Sequence, residues 1–455
     1  MTADITVTAS GVVEALRGRL RGEVATPSDA RYGELVAGFH LAFAHTPPVA
    51  VGPTGVDDVV AIVTLAREAG LPVTALGEGH GFHRGVSDGI LVRTRGLRSV
   101  TVDPATNTAR IGAGTKWQEV ADAAAPFGLT PLSGSDAGVG AVGYVLGGGL
   151  GPLGRTYGYG ADAVISFDVV TGDGRALTVD DQHHAELFWA LRGGNHGLGI
   201  VTAMTARLVP LDTVHGNAWY YAATDVEAVL RDWVRWCGGI PDTMNTYAHL
   251  VRMPDDPELP EPLRGQTLLE LIHIYVGDES DGLELVEPLL RSAEPVFHEP
   301  GRVREDTMAP VTVADGGIYL DDLDDEAVDA ILALAGPQHS YDDVPLVSVG
   351  LQRLGGALAS PRTSSNAVTG RDAAYAFHVI GAEPDVIDTV ITDQIRALHC
   401  CVDRLKSSGT IPNYIGKANE PGEVDRAWLP DVRRQLGRVR EQYDPDGIFR
   451  DSHTN

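Results

Sequence analysis

Leu76-Gly-Glu-Gly-His-Gly81 and Val139-Gly-Ala-Val-Gly-Tyr-Val-Leu-Gly-Gly-Gly149 are the stretches on which the reading of this chain turns. The first sets one histidine in a glycine-walled turn at the end of a short apolar run. The second is a run of small residues where backbone can lie directly against a flat or anionic ligand. Together they point to a bound cofactor with His80 as the side chain that touches it, flanked by Gly77, Glu78, Gly79 and Gly81.

Upstream of His80, Val59, Val60, Ile62, Val63, Leu65 and Ala66 fall on one side of a helix over 56–70, closed by Gly70. Pro72-Val-Thr-Ala-Leu-Gly77 reads as the strand that follows, so an α/β unit delivers His80 to its turn. Ile90–Thr94 is a second strand, and Asp103-Pro-Ala-Thr-Asn107 makes a hairpin of 99–111. A helix is expected over 117–125. Buried strands are expected at 164–171 and 200–208, with a turn at Asp173-Gly174 leading into 176–179.

The character changes near Val209. Thr224 and Glu227 form a capping box for a helix whose apolar face is Val226, Val229, Leu230, Trp233, Val234 and Cys237. Strands are expected at 268–276, 346–351 and 374–380 and helices at 283–292, 325–335 and 384–406, and a last helix covers 432–443. That order suggests an α+β lobe on an antiparallel sheet. The acidic cluster 321–326 reads as a helix start with dipole-friendly carboxylates.

At 455 residues the chain exceeds the usual size of one core, so two lobes are expected. A net charge of −27 repels nucleic acid and anionic membranes, which argues against a polyanion-binding role. The three cysteines, Cys237, Cys400 and Cys401, show neither metal-ligand spacing nor a disulfide framework. His83 could pair with His80 at a metal, but no carboxylate completes a recognisable set, so no metal is expected. With no leader pattern and no run of ~18 apolar residues, the default expectation is a cytoplasmic protein.

Gly149-Leu-Gly-Pro-Leu-Gly154 matches the GxGxxG dinucleotide pattern, with Asp168 near the offset of a ribose-binding acid. The context fails, because Arg155-Thr-Tyr-Gly-Tyr-Gly160 has little tendency to form the required helix. The whole run 134–160 instead suits a backbone cradle for a pyrophosphate or a flavin ring.

The chain resembles the berberine-bridge-enzyme-like flavoproteins, which have the vanillyl-alcohol-oxidase or PCMH-type FAD-binding fold. The resemblance rests on an ordered set: 58–66, Gly79-His80, Ala113-Gly114 with Trp117, the 134–160 run, Val170-Thr-Gly-Asp-Gly174 and Leu187-Phe-Trp-Ala-Leu-Arg-Gly-Gly194. Leu354-Gly-Gly-Ala357 with Arg371-Asp-Ala-Ala-Tyr375, Asn413-Tyr414 and Tyr443-Asp-Pro-Asp-Gly-Ile-Phe449 complete it. It implies a two-lobed α+β protein: an FAD domain from 1–205 and 396–455, and a substrate domain with an antiparallel sheet over 206–395.

It also implies site roles. His80 would bond covalently to the flavin 8α-methyl. Asp136 stands where many relatives have a cysteine linked to C6, so FAD is expected to be tethered through His80 only. Val139 matches a site that gates oxygen, and Tyr144 a position at the pyrimidine edge of the flavin. Gly140, Gly143, Gly148, Gly149, Gly199, Ile200, Val201 and Asn413 are the further cofactor contacts expected. Tyr414 matches the tyrosine used as substrate base, and it would need a neighbouring positive charge, such as Lys417 close by in sequence, or a hydrogen bond to ionise, since phenols titrate near ~10. Gln352 and Tyr375 lie on strands that face substrate in relatives. Departures occur at Glu78, which stands near a negatively charged cofactor, at His196 in the 193–199 loop, and at Ser452-His-Thr-Asn455.

The activity implied is FAD-dependent oxidation of a small molecule, with O2 reduced to hydrogen peroxide. A dehydrogenase using another acceptor and a ligand-binding flavoprotein without turnover are the alternatives. Substrate identity and oligomeric state are not encoded in any motif.

Overall fold

The computed structural model describes residues 9–82, 84–195, 197–210, 214–303, 310–361, 364–418 and 425–450. Its first sheet joins β1 (Glu23–Ala25), β2 (Val49–Gly52), β3 (Val73–Leu76) and β4 (Ile90–Arg93) in the order β1-β2-β4-β3. β2, β4 and β3 are parallel, as α/β crossovers require. The helix Val56–Ala69 covers this sheet with Val59, Ile62, Val63, Leu65 and Ala66, beside Val12, Val13 and Leu16 of the helix Ala9–Arg19. Burying each Val, Leu or Ile there contributes roughly 1.5–3 kcal/mol. Gly70 ends the helix at φ +63°, its N–H bonded to the Ala66 and Arg67 carbonyls, and the chain then enters β3 and the His80 turn.

The second sheet contains β5 (Val100–Asp103), β6 (Thr108–Gly112), β7 (Leu129–Pro131), β8 (Val164–Val170), β9 (Ala176–Val179) and β10 (Ile200–Pro210). Its order is β5-β6-β10-β8-β9, with β7 on the far end of β10. Ile200 packs into the core of the first sheet, whereas Val201 packs into that of the second. The expected contacts Gly199, Ile200 and Val201 therefore lie on the seam between them.

The third sheet has seven strands: β11 (Val214–Tyr221), β12 (Met244–Arg252), β13 (Thr267–Val276), β14 (Phe297–Pro300), β15 (Ala314–Leu320), β16 (Leu346–Arg353) and β17 (Tyr375–Gly381). It is antiparallel throughout, in the order β14-β11-β13-β12-β16-β17-β15. The helices Val226–Cys237, Glu279–Leu290, Asp325–Ala335 and Thr392–Cys401 cover one face through Leu230, Trp233, Leu289, Ile331 and Ile395. The other face turns toward the first lobe. Arg155, only 4% exposed, crosses that junction: its Nε donates to the Met244 carbonyl at 2.7 Å and its Nη1 to the Leu354 carbonyl.

The α+β, two-lobed expectation holds. The boundaries expected at 205/206 and 395/396 cut through β10 and through the helix Thr392–Cys401. We propose junctions near Pro210 and Leu405, because β10 stays in the second sheet while Ile395, Leu398 and Val402 stay in the core of the third.

Two local readings change. Asp225, not Thr224, is the N-cap of Val226–Cys237, and no side chain caps it; the Thr224 hydroxyl donates to the Asp225 carboxylate instead. The helix expected over 384–406 is broken into 3-10 turns, a π turn at 387–391 and the α-helix Thr392–Cys401. As expected, GxGxxG opens no dinucleotide helix: Gly154–Tyr157 is a single turn, and the Asp168 carboxylate pairs with Arg110 and Thr178. The acidic cluster does start a helix, with Asp324 Oδ1 accepting the Ala327 N–H at 2.9 Å.

Candidate active site

The end of β3 fixes the histidine turn. Gly79 has φ +90°, and a Cβ there would lie 3.0 Å from Gly38 Cα, so only glycine lets the 38–39 segment cross at this point. The Phe39 N–H bonds to the Glu78 carbonyl at 2.8 Å, and the Phe39 ring stacks on the His80 imidazole with centroids 3.7 Å apart. One face of His80 is thus covered, despite its glycine neighbours. Both ring nitrogens are buried and lack a hydrogen-bond partner among the described residues. Asp136 Oδ2 lies 3.5 Å from His80 Nε2, and Asp136 Oδ1 accepts the Gly138 N–H at 2.6 Å.

Glu78 does not confront the cradle with a bare charge. Burial pushes its carboxyl pKa up, but the hydrogen bonds and charge of Arg95, with Arg93 and Lys116 behind, hold it below the ordinary value. Arg95 Nη2 and Nε reach the two carboxylate oxygens at 2.8 and 3.2 Å, and Lys116 Nζ stands 3.7 Å away. A depressed pKa means that the stabilisation is complete above the usual glutamate range and is lost as pH falls through the folded value. Arg95→Ala is therefore expected to cost about 1–2 kcal/mol at pH 7, discounted because Arg95 is 45% exposed. That penalty should shrink as the pH is lowered through the folded pKa. Equal shifts of the urea midpoint at neutral and at acid pH would place the stabilisation outside this pair.

The glycine run divides its labour. Trp117 N–H bonds to the Val139 carbonyl at 3.0 Å, and Gly140 caps the helix Ala141–Leu146 beside Glu78. A Cβ at Gly81 or Gly143 would meet open space, as backbone facing a bound group would. Gly148 and Gly149 do something else. Their missing side chains make room for Ile411 and for the Tyr144 ring, at 3.1 and 2.6 Å from a Cβ, and the Gly149 N–H is held by Asn413 Oδ1 at 2.7 Å. Those two glycines and Asn413 shape the wall rather than present free donors. Tyr144 meets Trp117 edge-on at 5.7 Å, and burial drives its phenol well above its ordinary pKa. Its hydroxyl and the Trp117 Nε1 are buried without partners among the described residues.

The wall continues into the third sheet. Gln352 Nε2 donates to the Gly151 carbonyl at 3.3 Å and to the Tyr247 hydroxyl at 3.0 Å, while its Oε1 accepts from the Tyr414 hydroxyl at 3.2 Å. Lys417 does not serve Tyr414 as the expected cation: its Nζ binds Asp388 at 2.7 Å and lies over the Phe43 ring. Burial, with Tyr159 nearby, pushes its pKa far above the phenolic value. Tyr375 is on the wrong face. It packs with Trp233 and Arg353 under the helices, because successive strand residues alternate sides.

The same alternation brings His378 to the face that Tyr375 was expected to occupy. His378 Nε2 is 3.1 Å from Asp315 Oδ2, and His40 Nε2 is 3.9 Å from Asp315 Oδ1. A Cβ on Gly317 would touch both the Tyr414 ring, at 2.7 Å, and the His378 ring, at 3.0 Å. Nearby on this face, His249 Nδ1 pairs with the buried Glu270 at 3.2 Å. Phe39, His378, Asp315, His249 and Glu270 carry no motif; only strand parity across 374–380 could have singled out His378. His83, His196 and 452–455 lie outside the described residues.

The buried, unpartnered nitrogens of His80, the orphaned Tyr144 hydroxyl and the open Cβ positions at Gly81 and Gly143 fit a bound planar group such as a flavin. Comparison with known proteins agrees. A family model described as an FAD binding domain matches residues 47–180. The FAD-linked oxidoreductase YgaK of Bacillus subtilis is 26% identical over 95% of this chain and 96% of its own. The structure of BBE-like 1 from Physcomitrella patens superposes with a TM-score of 0.82 at 20% identity, covering 97% of this chain and 98% of that one. Glucooligosaccharide oxidase from Acremonium strictum, described with a 6-S-cysteinyl, 8α-N1-histidyl FAD, gives 0.82 at 18% identity over 97% and 98%.

Proposed function

We propose that this chain is a berberine-bridge-enzyme-like FAD-linked oxidoreductase and, on that premise, an oxidase of a small polar molecule. One observation carries the reading: a continuous wall runs from the His80 imidazole, whose Nδ1 has no partner among the described residues, through Asp136, Val139 and the helix Ala141–Leu146 to Gly149, Gly151, Gln352 and Tyr414. A cofactor tethered at one end of this wall would leave its other end open to substrate, between the lobes.

FAD supplies the two-electron acceptor; the chain supplies attachment, orientation and proton handling. His80 would hold the flavin as its sole covalent link, because the Asp136 carboxylate cannot form a thioether. Tyr144, kept neutral by burial, provides an O–H donor where negative charge gathers on reduction. Tyr414 and Gln352 orient the substrate's reacting group. The proton of that group passes to His378, which Asp315 holds beside Tyr414. When bound, FAD would pass the two electrons it accepts, with two protons, to O2 as hydrogen peroxide. The face that meets substrate carries Tyr247, His249, Gln352 and His378, which suits a polar substrate such as an alcohol or sugar.

The test is a panel of alcohols, sugars and amines screened for flavin bleaching under anaerobic conditions, followed by rapid mixing with air. An oxidase bleaches with one member of the panel, recovers its colour within seconds and releases one peroxide per turnover. Recovery only with a dye acceptor would make it a dehydrogenase. Bleaching by no member would favour ligand binding without turnover.

A further inference from the structure

We propose that Asp136 drives the attachment of the flavin to His80, as the carboxylate that selects the reactive imidazole nitrogen and receives its proton. The inference rests on the His80 tether proposed above and gives the residue in the place of a second link a task of its own.

The geometry distinguishes the two nitrogens. Nε2 faces Asp136 Oδ2 at 3.5 Å, whereas Nδ1 has no partner among the described residues. Closing the Nε2 distance to hydrogen-bond length needs a movement of about 0.5 Å. The ring cannot easily turn away, because Phe39 stacks on its face at 3.7 Å and 16°. Nor can the carboxylate, whose Oδ1 is anchored by the Gly138 N–H at 2.6 Å. A carboxylate at Nε2 fixes the proton there and leaves the lone pair on Nδ1, the logic by which second partners orient histidines generally.

The chemistry balances with O2 as the oxidant. A C–H bond of the flavin 8α-methyl breaks, its proton leaving to solvent, and a bond forms from His80 Nδ1 to that carbon. Alkylation at Nδ1 leaves the imidazole with a positive charge and a proton on Nε2. Asp136 first offsets that charge and then accepts the proton. The two electrons released stay on the flavin until O2 takes them up with two protons as hydrogen peroxide. Methyl, imidazole N–H and O2 thus become a methylene–nitrogen link and peroxide.

The experiment expresses the full chain under flavin limitation, adds FAD in air, and follows fluorescence that stays on the denatured polypeptide. Quenching of free-flavin fluorescence measures non-covalent binding separately. Asp136→Asn keeps the size and an amide oxygen for Gly138 but loses the charge; its attachment should slow at least ten-fold with non-covalent affinity unchanged. Asp136→Ala should be equally slow and should recover with added formate in proportion to concentration, a response that a merely structural role would not give. If the asparagine variant fails to bind FAD, the formate series decides. Attachment of Asp136→Asn at the wild-type rate, or no recovery of Asp136→Ala with formate, overturns the role of Asp136. Wild-type protein that binds FAD yet never links it overturns the tether itself.

Discussion

Wild-type protein precipitated with acid should keep its flavin, and His80→Ala should lose all of it. The expectation follows from a buried imidazole whose Nδ1 has no partner among the described residues, held in place by a stacked phenylalanine. An uncompensated buried polar group of this kind costs about 1–3 kcal/mol, a cost that a bound group at the ring edge removes. Alanine at position 80 leaves the Arg95–Glu78 pair and the turn at Gly79 intact, since neither uses the imidazole. The variant should therefore fold and bind FAD reversibly, with colour that washes out on gel filtration in denaturant. Tyr144→Phe is the control: it alters the wall without touching the link and should stay yellow after precipitation. Colourless wild-type precipitate would remove covalent attachment from this protein.

The elements nearest to His80 were legible because local chemistry dictates them. The helix Val56–Ala69 follows from an apolar stripe and a left-handed glycine, and the short parallel strands follow from continuous apolar runs. In the third sheet the signal weakens. β12, Met244–Arg252, has one face under helices and the other on a polar site, so Asn245, Tyr247 and His249 interrupt its hydrophobic pattern. A strand that builds a site reads poorly as a strand.

The site shows the same division. Glu78 looked hostile in sequence because its partner, Arg95, lies seventeen residues away and meets it only when β3 and β4 pair. The glycine run was legible as backbone packed close to something. For Gly149 and Gly160 that something is the ring of Tyr144, which no spacing rule announces. Tyr375 was assigned to the substrate face by its place in an ordered set of motifs. A period of two leaves no tolerance, and the residue on the opposite face, beside Tyr414, is His378, three positions on.

His378→Asn should slow reduction of the flavin by substrate by about 10²–10⁴-fold, the range for removing a positioned acid or base. The reasoning begins with Tyr414. A phenol whose pKa burial has raised, whose hydroxyl already donates to an amide oxygen and whose nearest lysine is engaged by Asp388 is a poor proton acceptor. Gln352 cannot relay a proton onward, since an amide oxygen binds one only weakly. The imidazole beside Tyr414 has the missing properties. It is 28% exposed, its ring centroid is 5.1 Å from that of Tyr414, and a carboxylate at 3.1 Å compensates the charge it would gain. Tyr414→Phe then removes one neutral hydrogen bond and should slow reduction only roughly five- to ten-fold. Asp315→Asn should fall between the two, because the imidazole remains but its counter-charge is lost. With the substrate found in the panel, anaerobic stopped-flow reduction orders the three variants. Recovery of His378→Ala by added imidazole would identify proton transfer as the lost step. The reverse order, with Tyr414→Phe the slowest and His378→Asn near wild type, would return the proton to the tyrosine.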